Sequence, residues 1–548
     1  MALRVGWCCF LLIAVTGPAL SATPAAAPTA SSGLGAVAFE NSGAPAAQTD
    51  FLSGLAQLHN FEYPRAAESF RRAQAADATF AMAYWGEAMT YNHTVWQEQN
   101  LEAARAALAK LGPNAEARAA KAATPREKAY LHAVEILYGE GDKNERDRRY
   151  ALAMEEIHRA YPDDIDATCF YALALLGTAH AGRDVPTYMR SAALTQEVFE
   201  KHPQHPGAAH YLIHSVDDSV HAPLGLRAAR AYAQIAPSSP HALHMTSHIF
   251  LALGMWDDVV AANEAAVHLV HEGMHARNPA AADVGCSHSI TWLEYGYLQQ
   301  GRFADARRLV EKCGDELRTH PYKAPDGDLL DYDNSSAASF AVMRTRYLID
   351  SQEWSGPVKA LEVNTGGLVA AEQTRDFAEA YGAVRYGKLE AATQAVRRAN
   401  DSAKRYLDAA IAAGSPADSP MRIVLTVAQD ELQGLLLLRK SDQRDGLALL
   451  ERAAAGEKAI PMEFGPPSLD KPANELLGEM LLELGRAPEA RSAFEAAQVL
   501  APGRGQSLIG LASCARLLKD TELGASVDAR LAQVKLREAL DGVRSMRQ

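Results

Sequence analysis

The chain has 548 residues, 48% of them hydrophobic and 7% aromatic, with 67 acidic and 54 basic side chains and a formal charge of -13. That balance excludes a nucleic-acid binder driven by overall positive charge, and 26 Pro with 38 Gly are too few for a fibrous or low-complexity chain. The histidines are unevenly spread: twelve of the eighteen fall between His202 and His288, about a sixth of the chain.

From the start of the chain, Met1 to Ala22 reads as a secretory signal, with Arg4 ahead of the apolar run Val5 to Val15 and small residues from Ala19 to Ala22 for cleavage. The run is too short to span a bilayer, and no later stretch reaches the ~18 apolar residues that a transmembrane helix needs. The mature protein is therefore expected to be exported, periplasmic or secreted, with no transmembrane segment. Residues 23–47, rich in Ala, Pro, Ser and Gly, read as a flexible linker. Beyond the signal only Cys169, Cys286, Cys313 and Cys514 remain, too few for a disulfide scaffold and without zinc-ribbon spacing.

From residue 48 onward, segments with apolar residues at i, i+3, i+4 and i+7 follow one another between short Gly, Pro or Asp breaks, which predicts an all-helical chain. The second helix of each predicted pair carries a recurring Gly, bulky and Ala pattern. It stands as Gly485, Ala490, Phe494, Ala497 and Pro502, as Gly301, Phe303, Ala306 and Val310, as Gly387, Leu389, Ala392, Val396 and Ala399, and as Ala66, Phe70 and Ala73. At these residues the chain resembles the tetratricopeptide repeat, a helix-turn-helix unit of about 34 residues that stacks into a right-handed superhelix. The resemblance implies roughly ten to twelve units, an N-terminal array over 48–325 with the histidine-rich groove and a C-terminal array over 326–548 that continues it. It also implies that the first helix of each unit lines a concave groove, where a protein or peptide partner would lie.

In that register Trp85, Met89, Asn92 and His93 form a first groove patch. The next feature stands on the residues themselves: Pro206-Gly-Ala-Ala-His210-Tyr-Leu-Ile-His214 and Pro240-His241-Ala-Leu-His244-Met-Thr-Ser-His248 superimpose at an offset equal to the repeat length. Each helix then carries two histidines at i and i+4 on one face. The register turns His210, His214, His241, His244 and His248 into the groove, and four imidazoles from neighbouring helices suit one transition-metal ion, Zn or Cu, since nitrogen ligands disfavour Ca and Mg. His221, beside Asp217 and Asp218, and His288 are further ligands or groups that orient them.

His271-Glu272-Gly-Met-His275 matches the zinc-peptidase pattern HExxH, but the register places it in a loop past the end of its helix. Tyr295, Glu475 and Glu479 take groove positions, and Cys286 and Cys313 lie at one end of a helical hairpin, where a disulfide would close it. No phosphate-binding loop or dinucleotide fingerprint is present, so no nucleotide cofactor is expected, and with the acidic charge balance no nucleic-acid partner is expected. The composite expectation is an exported scaffold with a histidine-lined metal site. A metal-free peptide scaffold and a metal-dependent hydrolase or oxidase remain as alternatives, and enzymatic activity is not the leading expectation.

Overall fold

The computed structural model describes residues 29–31, 33–323, 335–415 and 419–532. The secretory signal read at residues 1–22 lies outside them. Twenty-five α-helices succeed one another among the described residues, and strands are confined to two short antiparallel ribbons, Thr29–Ser31 with Gly35–Val37 and Asn92–His93 with Glu98–Gln99.

The helices pair into antiparallel hairpins because small and bulky residues interlock at fixed spacing. Phe70, on Tyr63–Ala76, fills the gap between Gly54 and Gly86 on the flanking helices Pro45–His59 and Ala81–Met89; a Cβ on Gly86 would sit 2.3 Å from the Phe70 ring. The same seam recurs near the C-terminus, where Phe494 packs between Gly478 and Gly510 and a Cβ on Gly510 would meet the ring at 2.2 Å. The gaps admit a ring only where the neighbouring helix lacks a side chain. One core cluster runs from Leu34 to Leu531, with Leu317 and Ala337 both in it, so the apolar core does not divide at residue 325.

Residues 33–47 are not the free linker their composition suggests. Leu34, Val37 and Phe39 are buried, Ala36 N–H donates to Gln204 O (2.9 Å), Ser238 N–H donates to Gly33 O (2.9 Å), and a helix begins at Pro45. Three apolar anchors within an Ala/Gly-rich stretch suffice to hold it on the outer edge of the histidine-bearing units.

The solenoid also closes on itself. Trp256 Nε1–H donates to Gly503 O (2.9 Å), Gly505 N–H donates to Gln299 Oε1 (3.1 Å), and Gly254, at φ +68°, lies so near the backbone that a Cβ would come within 2.7 Å of Pro502 O. The C-terminal units therefore press against the middle of the chain. Between the helices Gln443–Glu457 and Ala473–Glu483, the segment 460–469 enters the concave face. No helix among the described residues is long and apolar enough to cross a membrane.

Candidate metal centre

The helices Pro206–Val216, Pro240–Ala252 and His288–Gln299 are the first helices of three successive hairpins and line the groove side by side. Each starts sharply. Pro206 and Pro240 occupy first-turn positions where a missing N–H costs nothing, and His205 Nδ1, Ser239 Oγ and Ser287 Oγ accept from the backbone N–H three residues on. With the starts fixed, the i, i+4 histidines of the first two helices face inward together, beside His288 of the third.

Six imidazoles form one continuous row. Ring centroids are 5.0 Å apart for His241 and His210, 4.9 Å for His210 and His214, 5.5 Å for His214 and His248, 5.2 Å for His248 and His244, and 4.8 Å for His244 and His288. The row sorts into two triads whose ligand nitrogens lie within 4.8 Å of one another: His210, His214 and His241, and His244, His248 and His288. The four histidines expected on one ion, His210, His214, His244 and His248, divide between these triads, and His214 and His248 also lie together around Asp217.

The hydrogen bonds behind the rings fix their tautomers. His210 Nδ1–H donates to the His59 carbonyl (2.7 Å), which has no proton to give. His248 Nδ1–H donates to Asp217 Oδ2 (2.9 Å) and His244 Nδ1–H to Asn263 Oδ1 (2.7 Å), the Asn263 amide being oriented by its Nδ2 donating to Val259 O (2.9 Å). A neutral imidazole has one N–H, so the Nε2 atoms of His210, His244 and His248 each present a lone pair. His244 Nε2 and His248 Nε2 face each other at 3.3 Å, and His210 Nε2 faces His241 Nε2 at 3.2 Å. His214, buried, has both ring nitrogens without a hydrogen-bond partner; its Nδ1 lies 3.4 Å from Asp217 Oδ2 but outside bonding alignment.

Protonation does not resolve these contacts. Burial first, then the neighbouring histidines, pushes His210, His241 and His244 well below the ordinary value of 6.5. His248 is also lowered by burial, although Asp217 offsets part of the shift. For Asp217, burial favours the neutral acid, but the Arg183 guanidinium and the His214 and His248 contacts outweigh it and keep the carboxylate charged. His288 reaches solvent at the mouth of the groove, yet the surrounding protein also lowers its pKa.

Aromatic rings close the site. Trp292 stacks on His248 (4.4 Å) and meets His244 edge-on (4.9 Å); Phe464, from the inserted segment, stacks on His248 (5.1 Å) and lies 6.1 Å from His214, while Phe61 stacks on His214 at 5.8 Å. Beyond Phe464 and His288 opens a chamber of ≈ 710 Å³ walled by Arg183, Tyr188, Arg346 and Phe377, and a smaller space of ≈ 110 Å³ lies on the other side of the same segment, next to Asp217 and Tyr295.

Several sequence-predicted residues belong elsewhere. Trp85 and Met89 are core residues, Trp85 against Phe39, Tyr130 and Phe170 and Met89 beneath the Tyr150 hydroxyl; Asn92 ties the small ribbon through Thr94 and Gln99. His93 stacks on Tyr63 and pairs with Glu98. The short helix Ala81–Met89 turns its first-helix face against neighbouring helices instead of open groove. His221 Nδ1 pairs with Asp218 (2.8 Å), whose carboxylate also accepts from the backbone N–H groups of Val220 and His221 and meets Arg183, so neither belongs to the row. Tyr295 OH accepts from Arg504 (3.1 Å), and Glu475 and Glu479 both pair with Lys471 (2.8 and 2.5 Å), remote from the histidines. Cys286 and Cys313 form a disulfide.

The helix Trp256–Arg277 continues through His271, Glu272 and His275, which were expected in a loop. It remains unlike a zinc-peptidase site: His271 and His275 both turn to Asp283, and Glu272 pairs with exposed His268. Sequence reasoning missed the supporting residues. His59, Asp166 and His205 form a second buried group, with His59 Nε2 at 2.8 Å and His205 Nε2 at 3.4 Å from Asp166 Oδ1. Asn263 and Phe464 carry no one-dimensional signal, and for Trp292 the one available signal is its i, i+4 spacing from His288.

No family model matches the sequence, and no curated protein matches it. Among solved structures the chain is similar to human IFIT1 in a dimer with m7Gppp-AAAA (12% identity, 91% of this chain and 90% of that one, TM-score 0.34). It is also similar to yeast Tom70 (12%, 87% and 96%, TM-score 0.36) and to the P58(IPK) TPR domain (12%, 87% and 99%, TM-score 0.21). The chain folds as a tetratricopeptide-type solenoid. That rests on its own hairpins and on the Phe70 and Phe494 seams, which reproduce the repeat's interlock at both ends of the molecule.

Proposed function

We propose that the protein is an exported metal-binding solenoid whose groove holds a transition-metal ion, Zn(II) or Cu(II), on His244, His248 and His288. The observation that carries this reading is the pair of facing lone pairs on His244 and His248. Two unprotonated nitrogens at 3.3 Å repel each other unless a cation lies between them, and burial disfavours a proton there. Two imidazole nitrogens on one tetrahedral ion, with bonds of roughly 2.0–2.1 Å, sit about 3.3 Å apart. Acceptors behind both Nδ1 atoms are the arrangement that orients histidine ligands and raises their basicity.

Export is supported by the signal pattern at residues 1–22 and by the Cys286–Cys313 disulfide, which persists in oxidising compartments. A metal-free peptide scaffold fits less well, since the protein's own segment with Phe464 occupies the concave face beside the histidines. The test is the metal content of tag-free protein after chelator treatment and reconstitution with Zn(II) or Cu(II). Wild type should retain metal through dialysis and the double variant His244→Gln, His248→Gln should lose it from this triad; a wild type that holds neither ion would overturn the reading.

A further inference from the structure

We infer that the groove takes two such ions, one on each histidine triad, with Asp217 as a carboxylate shared behind both. This deepens the metal reading above and rests on it. The second triad stands on separate observations. His210 Nε2 is held unprotonated by the His59 carbonyl on its other nitrogen and lies 3.2 Å from His241 Nε2. One N–H from His241 would join those two rings, but it leaves His214 with two buried nitrogens and no partner, and a buried unpaired polar group costs about 1–3 kcal/mol. A cation among His210, His214 and His241, whose ligand nitrogens lie within 4.8 Å of one another, satisfies all three at once.

Asp217 links the triads. Its Oδ2 lies 2.9 Å from His248 Nδ1, in one triad, and 3.4 Å from His214 Nδ1, in the other, while Arg183 holds the opposite oxygen. A proton on His214 Nδ1 facing Asp217 leaves His214 Nε2 as the third donor beside His210 and His241. The carboxylate thus orients His248 in one site and sets a negative charge beside His214 in the other, and loss of such an outer partner typically lowers metal affinity by about 10–100-fold.

The experiment is stoichiometric titration of the tag-free full chain with Zn(II) alone and Cu(II) alone, read by calorimetry and elemental analysis, with Trp292 fluorescence as the site reporter because its ring lies on His248 and His244. Wild type should bind two equivalents. His210→Gln with His241→Gln should bind one and keep the Trp292 response; His244→Gln with His248→Gln should bind one without it. Asp217→Asn should weaken both steps by 10–100-fold. One equivalent in wild type, unchanged by His210→Gln with His241→Gln, overturns the second site and leaves the first standing. Two equivalents that survive that variant overturn this assignment too. No binding by wild type defeats the underlying reading itself.

Discussion

Two buried polar networks line the inner side of this solenoid, and they are solved in opposite ways. In the C-terminal half, Arg504 meets Asp350 (2.5 Å), Glu475 (2.9 Å) and the Tyr295 hydroxyl, and Lys471 meets Glu475 and Glu479, so each charge finds its opposite within the chain. Burial alone would raise the Glu475 carboxyl, but Arg504 and Lys471 hold it down at about 2. In the histidine row the lone pairs of His244 and His248 meet, His214 has no hydrogen-bond partner, and the single carboxylate, Asp217, is already shared between His248 and Arg183. The first network is closed and structural. The second leaves nitrogen atoms unsatisfied within the chain, and the difference is one of satisfied against unsatisfied polar atoms rather than of burial.

The contrast predicts unequal responses to mutation. Arg504→Met leaves Asp350 buried without its partner and should cost about 3–5 kcal/mol of unfolding free energy, read as a lowered denaturant midpoint, without changing metal stoichiometry. A metal-binding defect in that variant would join the two networks. Cys286→Ser with Cys313→Ser removes the bond that holds the entry to the His288 helix and should cost about 2–4 kcal/mol in the same assay. Unchanged stability there would mean the half-cystines add nothing to the fold.

Acid should strip support from the histidine region of the metal-free protein. Because folded His210, His241 and His244 titrate below 6.5, the unfolded chain binds more protons as the pH falls. Stability is full above about 6.5 and declines below it, by up to ~1.4 kcal/mol per pH unit for each group. Urea midpoints flat between pH 7.5 and 5 would show that these rings are not held neutral. The smallest effect is expected from His244→Gln in the metal-free protein, less than about 1 kcal/mol, since it relieves one lone-pair conflict while giving up packing against Trp292. A large loss would recast His244 as a structural residue akin to Arg504.

The helical fold and the inward direction of the histidines were legible in the sequence because both are periodic. The Gly–Phe–Gly interlock repeats, and His210 and His214 recur one unit later as His244 and His248. What was not legible depends on the turn from unit to unit. The split into two triads depends on how neighbouring helices pack, which leaves no mark in spacing, and the Phe464 cover accompanies closure of the ring through Trp256 and Gly503, across 247 residues. Trp85 and Met89 were misplaced because the register assumes an open groove at every unit, whereas near the N-terminus Phe39 and its segment fold back and fill it. His271 and His275 erred in the other direction: Gly273 suggested a break, but its helix has open space around it and continues to Arg277.

The central claim, that facing imidazole nitrogens mark a cation site, is tested most directly by Trp292 fluorescence during Cu(II) titration of tag-free, metal-free protein. Saturable quenching of Trp292, read in a Trp96→Phe background because Trp96 lies 6.1 Å from His241, that disappears in His244→Gln with His248→Gln, while the circular dichroism of that variant stays helical, is the predicted result. A titration in which wild type and variant respond alike, or wild type does not respond, would contradict it.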